Sequence, residues 1–92
     1  MPTLVIYMRR RKGDENRVGF TVTVKLGHAV VRNRIRRRLR EIYRLHETEL
    51  LRGTELVIVA RGRSVDAPYR LLERDFLAGC AQLGILAGGT QP

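Results

Sequence analysis

Residues 25–41, KLGHAVVRNRIRRRLRE, with Arg44 just beyond them, set seven arginines between positions 32 and 44 against one acid, Glu41. At about 100° per residue, Val31, Ile35, Leu39, Ile42 and His46 share one stripe of a helix, while Asn33, Arg36, Arg37, Arg40 and Arg44 share the opposite face. Such a helix docks by one side and shows arginine on the other. A disordered basic tail has no need of the apolar stripe. A merely solvated face would mix signs, with Glu placed four residues before Lys or Arg. Here Arg36 repels Arg40 at that spacing, and Arg40 repels Arg44, so the face calls for a polyanion to relieve it. Arg38 lies at the edge of the apolar stripe, where its stem is expected to pack and its guanidinium to snorkel outward.

Composition agrees. Eighteen Lys and Arg against nine Asp and Glu give a net charge of +9 on 92 residues, the footprint of a nucleic-acid-binding domain. The cations are arginine apart from Lys12 and Lys25. The guanidinium fork suits phosphate and bases, although a high-GC coding preference also favours arginine. The length fits one domain, residues 1–92, burying roughly 60 to 65% of its unfolded surface. Cys80, the single cysteine, excludes an internal disulfide and the usual zinc arrangements, and reads as a helix or core residue. No apolar run approaches the roughly 18 residues of a membrane span, and no signal peptide is visible. A soluble, cytoplasmic protein is expected.

Along the chain, Thr3 to Met8 reads as a strand, and RRRKGDEN, residues 9–16, as the turn of a hairpin leading into Arg17–Val24. That second strand alternates Val18, Phe20, Val22 and Val24 against Gly19, Thr21 and Thr23, leaving a threonine face free to meet a ligand. The basic helix is expected from about Ala29 to Leu51, with Gly53 as terminator. Glu55–Arg61, ELVIVAR, reads as a buried strand. Asp66 is a candidate N-cap with Pro68 in the first turn of a last helix, whose Leu72, Phe76, Leu77, Cys80 and Leu83 recur at helical spacing. The tail, about residues 86–92, is expected to fray. The order is β, β, helix, β, helix, an α+β class.

Nothing converges on a protein active site. His28 and His46 are far apart, the acids are scattered, and Ser64 sits in a turn signal where a loop or capping hydroxyl is the ordinary reading. There is no phosphate-binding glycine loop and no paired-carboxylate signature. No catalytic residue and no metal site is expected in this chain, so any chemistry it serves belongs to a partner.

The run Lys25, Gly27, Ala29, Val30, Arg32, Asn33, Arg34, Ile35, Arg36, Arg37, Arg40, preceded by RVGFTV and followed by LVIVAR, resembles the protein subunit of bacterial ribonuclease P over about residues 3–85. In that family the RNA is catalytic, using bound Mg2+ to hydrolyse the phosphodiester between the 5′ leader and the mature transfer RNA. The resemblance implies partnership with the catalytic RNA and with precursor transfer RNA, and no cofactor held by the protein itself. It also implies an α-β-β-β-α-β-α unit with a left-handed β-α-β crossover, similar to a small-subunit ribosomal protein domain. Such a crossover breaks the usual right-handed preference.

By the same resemblance Arg32, Asn33, Arg34, Arg36, Arg37 and Arg40 form the helix surface for RNA, with Lys25 beside it; Arg44 extends the arginine face. Tyr7, Thr21 and Thr23 match the sheet face that lines the leader cleft, flanked by Val5, and Arg61 lies near it. An aromatic platform with a basic wall suits single-stranded RNA. Read from the residues alone, Tyr7 serves equally well as a core-completing strand residue, and Arg61 as a surface strand terminator. Gly27 is expected to provide the backbone turn before the helix.

Two departures stand out. A lysine pair after the second strand is here Val24 and Lys25. The family's basic N-terminal helix, which covers one wall of the leader cleft, is not expected within residues 1–92, where a strand is read from Thr3 onward. An uncovered apolar sheet face invites a partner or self-association. A generic RNA-binding or ribosome-associated protein would explain the basic helix equally well without a role in leader cleavage. A DNA-binding regulator fits less well, because strands rather than a first helix precede the arginine helix, and base-reading Asn or Gln are lacking beyond Asn33.

Overall fold

In the computed structural model, residues 2–86 are described; most of the tail expected to fray lies outside them. The elements are β1 (Leu4–Arg10), β2 (Arg17–Thr21), α1 (Ala29–His46), β3 (Thr54–Ala60) and α2 (Tyr69–Gln82), joined by short 3-10 turns. This is the expected α+β order. The sheet order, β1-β3-β2, is not the one a hairpin would give. β3 lies between the other two, antiparallel to β1 and parallel to β2. The physical reason lies in β3 itself, whose backbone groups find partners on both sides only in the middle of the sheet. The 9–16 segment therefore bridges from one edge strand to the other, beneath the start of β3. It is tied there by the Arg11 amide donating to the Gly53 carbonyl at 2.7 Å and by Asn16 Oδ1 accepting from the Thr54 amide at 3.1 Å.

Strand alternation gives the sheet two different faces. Leu4, Ile6, Leu56, Ile58 and Ala60 are buried beneath the helices, with Met8, Val18 and Phe20 packed against them. α1 contributes Ile35, Leu39, Ile42 and Tyr43 to this core, and α2 contributes Leu72, Phe76 and Cys80. Each fully buried aliphatic side chain stabilises the fold by about 1.5–3 kcal/mol relative to exposure. Tyr43 meets Phe76 edge-on with ring centroids 6.5 Å apart, which locks the two helices together. α2 is also tied to the start of β1: the amide and hydroxyl of buried Thr3 both donate to Asp75 Oδ2, at 2.8 and 2.7 Å.

Several local expectations are corrected. β2 stops at Thr21, and Val24 is exposed in a 3-10 turn instead of sharing the apolar face. Val22 is the last residue there to reach the core. α1 ends at His46, not Leu51. Glu47 and Glu49 are unfavourable at the negative end of the helix dipole, and Leu50 leaves the helix to be buried, bridging to Leu86. Gly53 is thus no helix terminator. It has φ +76° at the entry to β3, where a Cβ would stand 2.5 Å from the Gly13 carbonyl oxygen. Pro68, not Asp66, occupies the N-cap of α2, accepting through its carbonyl from the amides of Leu71 and Leu72. Leu83 follows the helix and is exposed. β3 is buried on one face only, since Val57 remains 39% exposed.

Candidate nucleic-acid interface

Both helices cover one face of the sheet, so the residues of opposite parity form an uncovered face. Cross-strand register sets three rows across β1, β3 and β2: Val5, Val59 and Thr21; Tyr7, Val57 and Gly19; and Arg9, Glu55 and Arg17. Tyr7 stands 60% exposed midway along the edge strand β1, with Val57 next to it on β3 and the side-chain-less Gly19 beyond Val57 on β2. The bare-strand reading of Tyr7 as a core residue is therefore set aside. Val5 is half-buried and Thr21 exposed. Thr23 is exposed but lies past the last paired residue of β2, in the N-cap position of the 3-10 turn. Arg61 is exposed just past β3, its amide held by the Thr3 carbonyl at 2.9 Å and its own carbonyl accepting from the Ser64 hydroxyl at 2.7 Å. Ser64 is a buried turn hydroxyl.

α1 follows β2 closely and packs against that edge strand. Its arginines divide into two groups. Arg32 Nε donates to the Gly27 carbonyl at 3.1 Å, Arg34 Nη2 to the Val65 carbonyl at 3.2 Å, and Arg38 Nη1 to the Ala67 carbonyl at 3.0 Å. Arg34 and Arg38, one turn apart, thereby clamp the segment that leads into α2. Gly27, at φ 141°, makes the turn whose carbonyl receives Arg32. The second group comprises Arg36, Arg37, Arg40 and Arg44 with Asn33. Within it, Arg36 Nη1 donates to Asn33 Oδ1 at 3.3 Å and the Arg40 guanidinium carbon lies 6.0 Å from the centre of the Phe20 ring. Arg37, Arg40 and Arg44 are exposed and Arg36 half-exposed; Lys25 is exposed in the turn before the helix. Four like charges on two to three turns of one face, with no carboxylate hydrogen-bonded to them among the described residues, leave a strong positive potential there.

The acids near α1 are engaged elsewhere. Burial raises the Tyr69 hydroxyl above its usual range, and the hydrogen-bonded, negatively charged Glu41 beside it adds to the shift. His46 bridges Glu73, at 2.6 Å through Nε2, and Glu49, at 3.0 Å through Nδ1. The Glu73 hydrogen bond raises its pKa against the opposing effect of burial, with Glu49 reinforcing it. On the open face the hydrogen bond and charge of Arg9 hold the Glu55 carboxyl below its ordinary range. Among the described residues no group of three or more His, Cys, Asp or Glu is placed to hold a metal ion. No helix among them is long and apolar enough to cross a membrane.

A family model described as Ribonuclease P matches residues 1–84, nearly all of this fold. The chain belongs to the ribonuclease P protein family. It is 38% identical over 74 residues to the ribonuclease P protein component of Natranaerobius thermophilus, a match covering 80% of this chain and 64% of that one. It is 41% identical over 88 residues to the component from a Thermoanaerobacter species, covering 96% and 76%. A solved structure of a Staphylococcus aureus RNase P protein mutant superposes with a TM-score of 0.82 at 27% identity, covering 90% of this chain and 70% of that one. The chain thus spans about two thirds to three quarters of the length of these ribonuclease P proteins.

Sequence reasoning missed Val57, Val59, Arg9, Arg17 and Glu55, which share the open face with Tyr7 and Gly19. The signal was present as alternation within ELVIVAR, but the doubly apolar run concealed which parity is covered. The helical period set Arg32 and Arg34 apart from the face of Arg36, Arg37, Arg40 and Arg44, and the resemblance grouped them with it; their backbone-carbonyl acceptors leave no mark in sequence.

Proposed function

We propose that this chain acts as the protein component of ribonuclease P, organising the catalytic RNA and positioning precursor transfer RNA for removal of its 5′ leader. Supporting this reading is the pairing of two surfaces: the arginine face of α1 and, around the edge strand β2, an open sheet face carrying Tyr7. In the proposal, Arg36, Arg37, Arg40, Arg44 and Asn33 meet the catalytic RNA, with Lys25, Arg32 and Arg34 at the start of the same helix. Tyr7, Val5, Thr21 and Arg61 line the leader path, with Thr23 just beyond. The β2-α1-β3 crossover is taken to be left-handed, as in the family, and the protein to work in the cytoplasm.

The chemistry is assigned to the RNA, whose bound Mg2+ would activate the attacking water. The protein's part is electrostatic. Two polyanions repel each other, and a basic helix between them lowers that repulsion and so favours Mg2+ occupancy near the scissile phosphate. On the open face, Tyr7 offers a ring for base stacking, an interaction of about 1–3 kcal/mol per base that tolerates any sequence.

The test is cleavage of a 5′-extended precursor transfer RNA by bacterial ribonuclease P RNA at low magnesium, with and without this protein. A rise in rate at the correct junction is expected. Tight binding to the catalytic RNA without a rise would place the chain among generic RNA-binding proteins, and absence of binding would overturn the proposal. Sedimentation of the free protein separately tests self-association through the open face.

A further inference from the structure

The aromatic contacts between the two helices, Tyr43 and His46 against Phe76, lie toward the C-terminal end of α1. Its N-terminal half, which carries most of the arginines, is gripped differently. Arg34, Arg38 and Glu41, at i, i+4 and i+7, share one stripe along a flank of the helix. That stripe meets the turn between β3 and α2, and its three side chains find partners in chain order. Arg34 Nη2 donates to the Val65 carbonyl at 3.2 Å, Arg38 Nη1 to the Ala67 carbonyl at 3.0 Å, and Glu41 is hydrogen-bonded to the Tyr69 hydroxyl at the start of α2. The three bonds form a polar ladder.

Arg38 is its middle rung. Arg34 and Glu41 are exposed, whereas Arg38 is half-buried and its partner residue Ala67 is buried. A snorkelling arginine would end in water, but this guanidinium ends on the carbonyl of a residue 29 positions further along the chain. The turn it holds is itself anchored. The Arg61 amide donates to the Thr3 carbonyl at 2.9 Å, and the Ser64 amide and hydroxyl donate to the Arg61 carbonyl at 2.9 and 2.7 Å. On its other flank α1 touches the sheet through Arg40, over the Phe20 ring of β2. The ladder thus joins the arginine helix to a fixed part of the sheet end.

We infer that Arg38 is a positioning residue for the ribonuclease P reaction, holding α1 so that its arginine face and the open sheet face keep one relative orientation. The inference rests on the proposed function, in which those two faces meet two different RNAs. A rigid protein bound to the catalytic RNA presents its second face already oriented, so engagement of the precursor costs less ordering. When the ladder is broken, each face still binds its own RNA, and the gain from binding both together shrinks.

The experiment compares wild type with Arg38→Met, which keeps a long apolar stem and removes the donors, with Arg38→Lys, which keeps charge and one donor group, and with Tyr69→Phe, which removes a rung from the α2 side without changing charge. Three quantities are measured well below each unfolding midpoint: affinity and salt slope for bacterial ribonuclease P RNA, affinity of the protein–RNA complex for a 5′-extended precursor transfer RNA, and cleavage rate at low magnesium. Arg38→Met should leave the salt slope for the catalytic RNA unchanged and lower precursor affinity of the complex about threefold to tenfold, the factor that one hydrogen bond commands. Tyr69→Phe should lower it in the same direction, and Arg38→Lys should recover part of the loss. A salt slope shallower by about 0.9 in Arg38→Met, with full recovery by Arg38→Lys and no effect of Tyr69→Phe, would make Arg38 a phosphate contact and overturn the inference. Lowered thermal stability with precursor affinity intact would make the ladder merely structural and overturn it equally. Wild type that binds no catalytic RNA overturns the proposed function, and the inference with it; wild type that works no better than Arg38→Met and Tyr69→Phe overturns the positioning role alone.

Discussion

Replacing Arg36 and Arg40 together by alanine separates a binding face from a structural one. Among the described residues the Arg36 side chain hydrogen-bonds to Asn33, one turn away and exposed, so its loss leaves nothing buried and unpaired there. Arg40 lies 6.0 Å from the Phe20 ring, a cation–π contact contributing about 0.5–1 kcal/mol at an exposed position. Against this, the double substitution removes the Arg36–Arg40 and Arg40–Arg44 repulsions, about 0.2–0.5 kcal/mol each, and alanine is the better helix former. The terms nearly cancel, and the midpoint of thermal unfolding should move by no more than a few degrees. Binding should respond differently. If about six phosphates are neutralised, log affinity falls with log salt at a slope of about −4 to −5, and two lost contacts make it shallower by about 1.4–1.8. At moderate salt the expected loss is about tenfold to a hundredfold. The assay is filter binding of ribonuclease P RNA from low to high salt, alongside thermal unfolding of each protein. Loss of cooperative unfolding would show that the face is structural, and an unchanged slope would show that these arginines meet no phosphate.

His46 gives a pH dependence: its folded pKa is raised, chiefly by Glu73, so its stabilising contribution is complete below the unfolded value near 6.5 and disappears as pH rises through the folded value. Denaturant unfolding should show this decline between acidic and mildly alkaline pH, and His46→Gln should flatten it. Asp75 behaves in the opposite sense. Burial alone would raise its pKa, but the Thr3 amide and hydroxyl, helped by Arg74 and Arg63, hold it below the usual range. Its contribution is present above the unfolded value near 3.9 and lost as pH falls through the folded one; Asp75→Asn should cost about 1–2 kcal/mol in neutral denaturant titrations. Gly53→Ala combines φ +76° with a backbone clash at 2.5 Å and should destabilise by roughly 2 kcal/mol or more, read by thermal unfolding. Burial pushes the Cys80 thiol up to about 12, so alkylation at pH 8 should proceed only as fast as the protein opens, and should accelerate with denaturant.

What could be read from the chain depended on whether a residue's partner leaves a mark in sequence. The buried stripe Ile35, Leu39, Ile42 and the face Arg36, Arg37, Arg40, Arg44 were legible because both repeat at the helical period. Leu72, Phe76 and Cys80 were legible for the same reason. Strand order was not, because alternation records which face is covered and says nothing about which strand lies beside which. RRRKGDEN looks like a hairpin turn, and only the Asn16–Thr54 and Arg11–Gly53 bonds show that it passes beneath β3. The end of α1 was misread because Leu50 is apolar in either setting, buried on a helix or buried in the bridge to Leu86. The helical period divides the arginines, but what Arg32, Arg34 and Arg38 hold was hidden: Gly27, Val65 and Ala67 supply carbonyls, which every residue has.

That division bears on why the helix carries so much uncompensated charge. The N-cap of α1, His28, makes no side-chain cap, and its first turn contains no acid. The positive end of the helix dipole is therefore left with exposed amides, and Arg32 and Arg34 follow within the first two turns, where cations are least favourable. At the other end Arg44 and His46 suit the dipole, and His46 is further secured by Glu49 and Glu73. Stability is thus concentrated in the C-terminal half of α1 and in its contacts with α2. The N-terminal half is held by packing of Ile35 and Leu39 and by guanidinium–carbonyl bonds, against its own electrostatics. A helix selected for stability alone would place an acid and a capping side chain there.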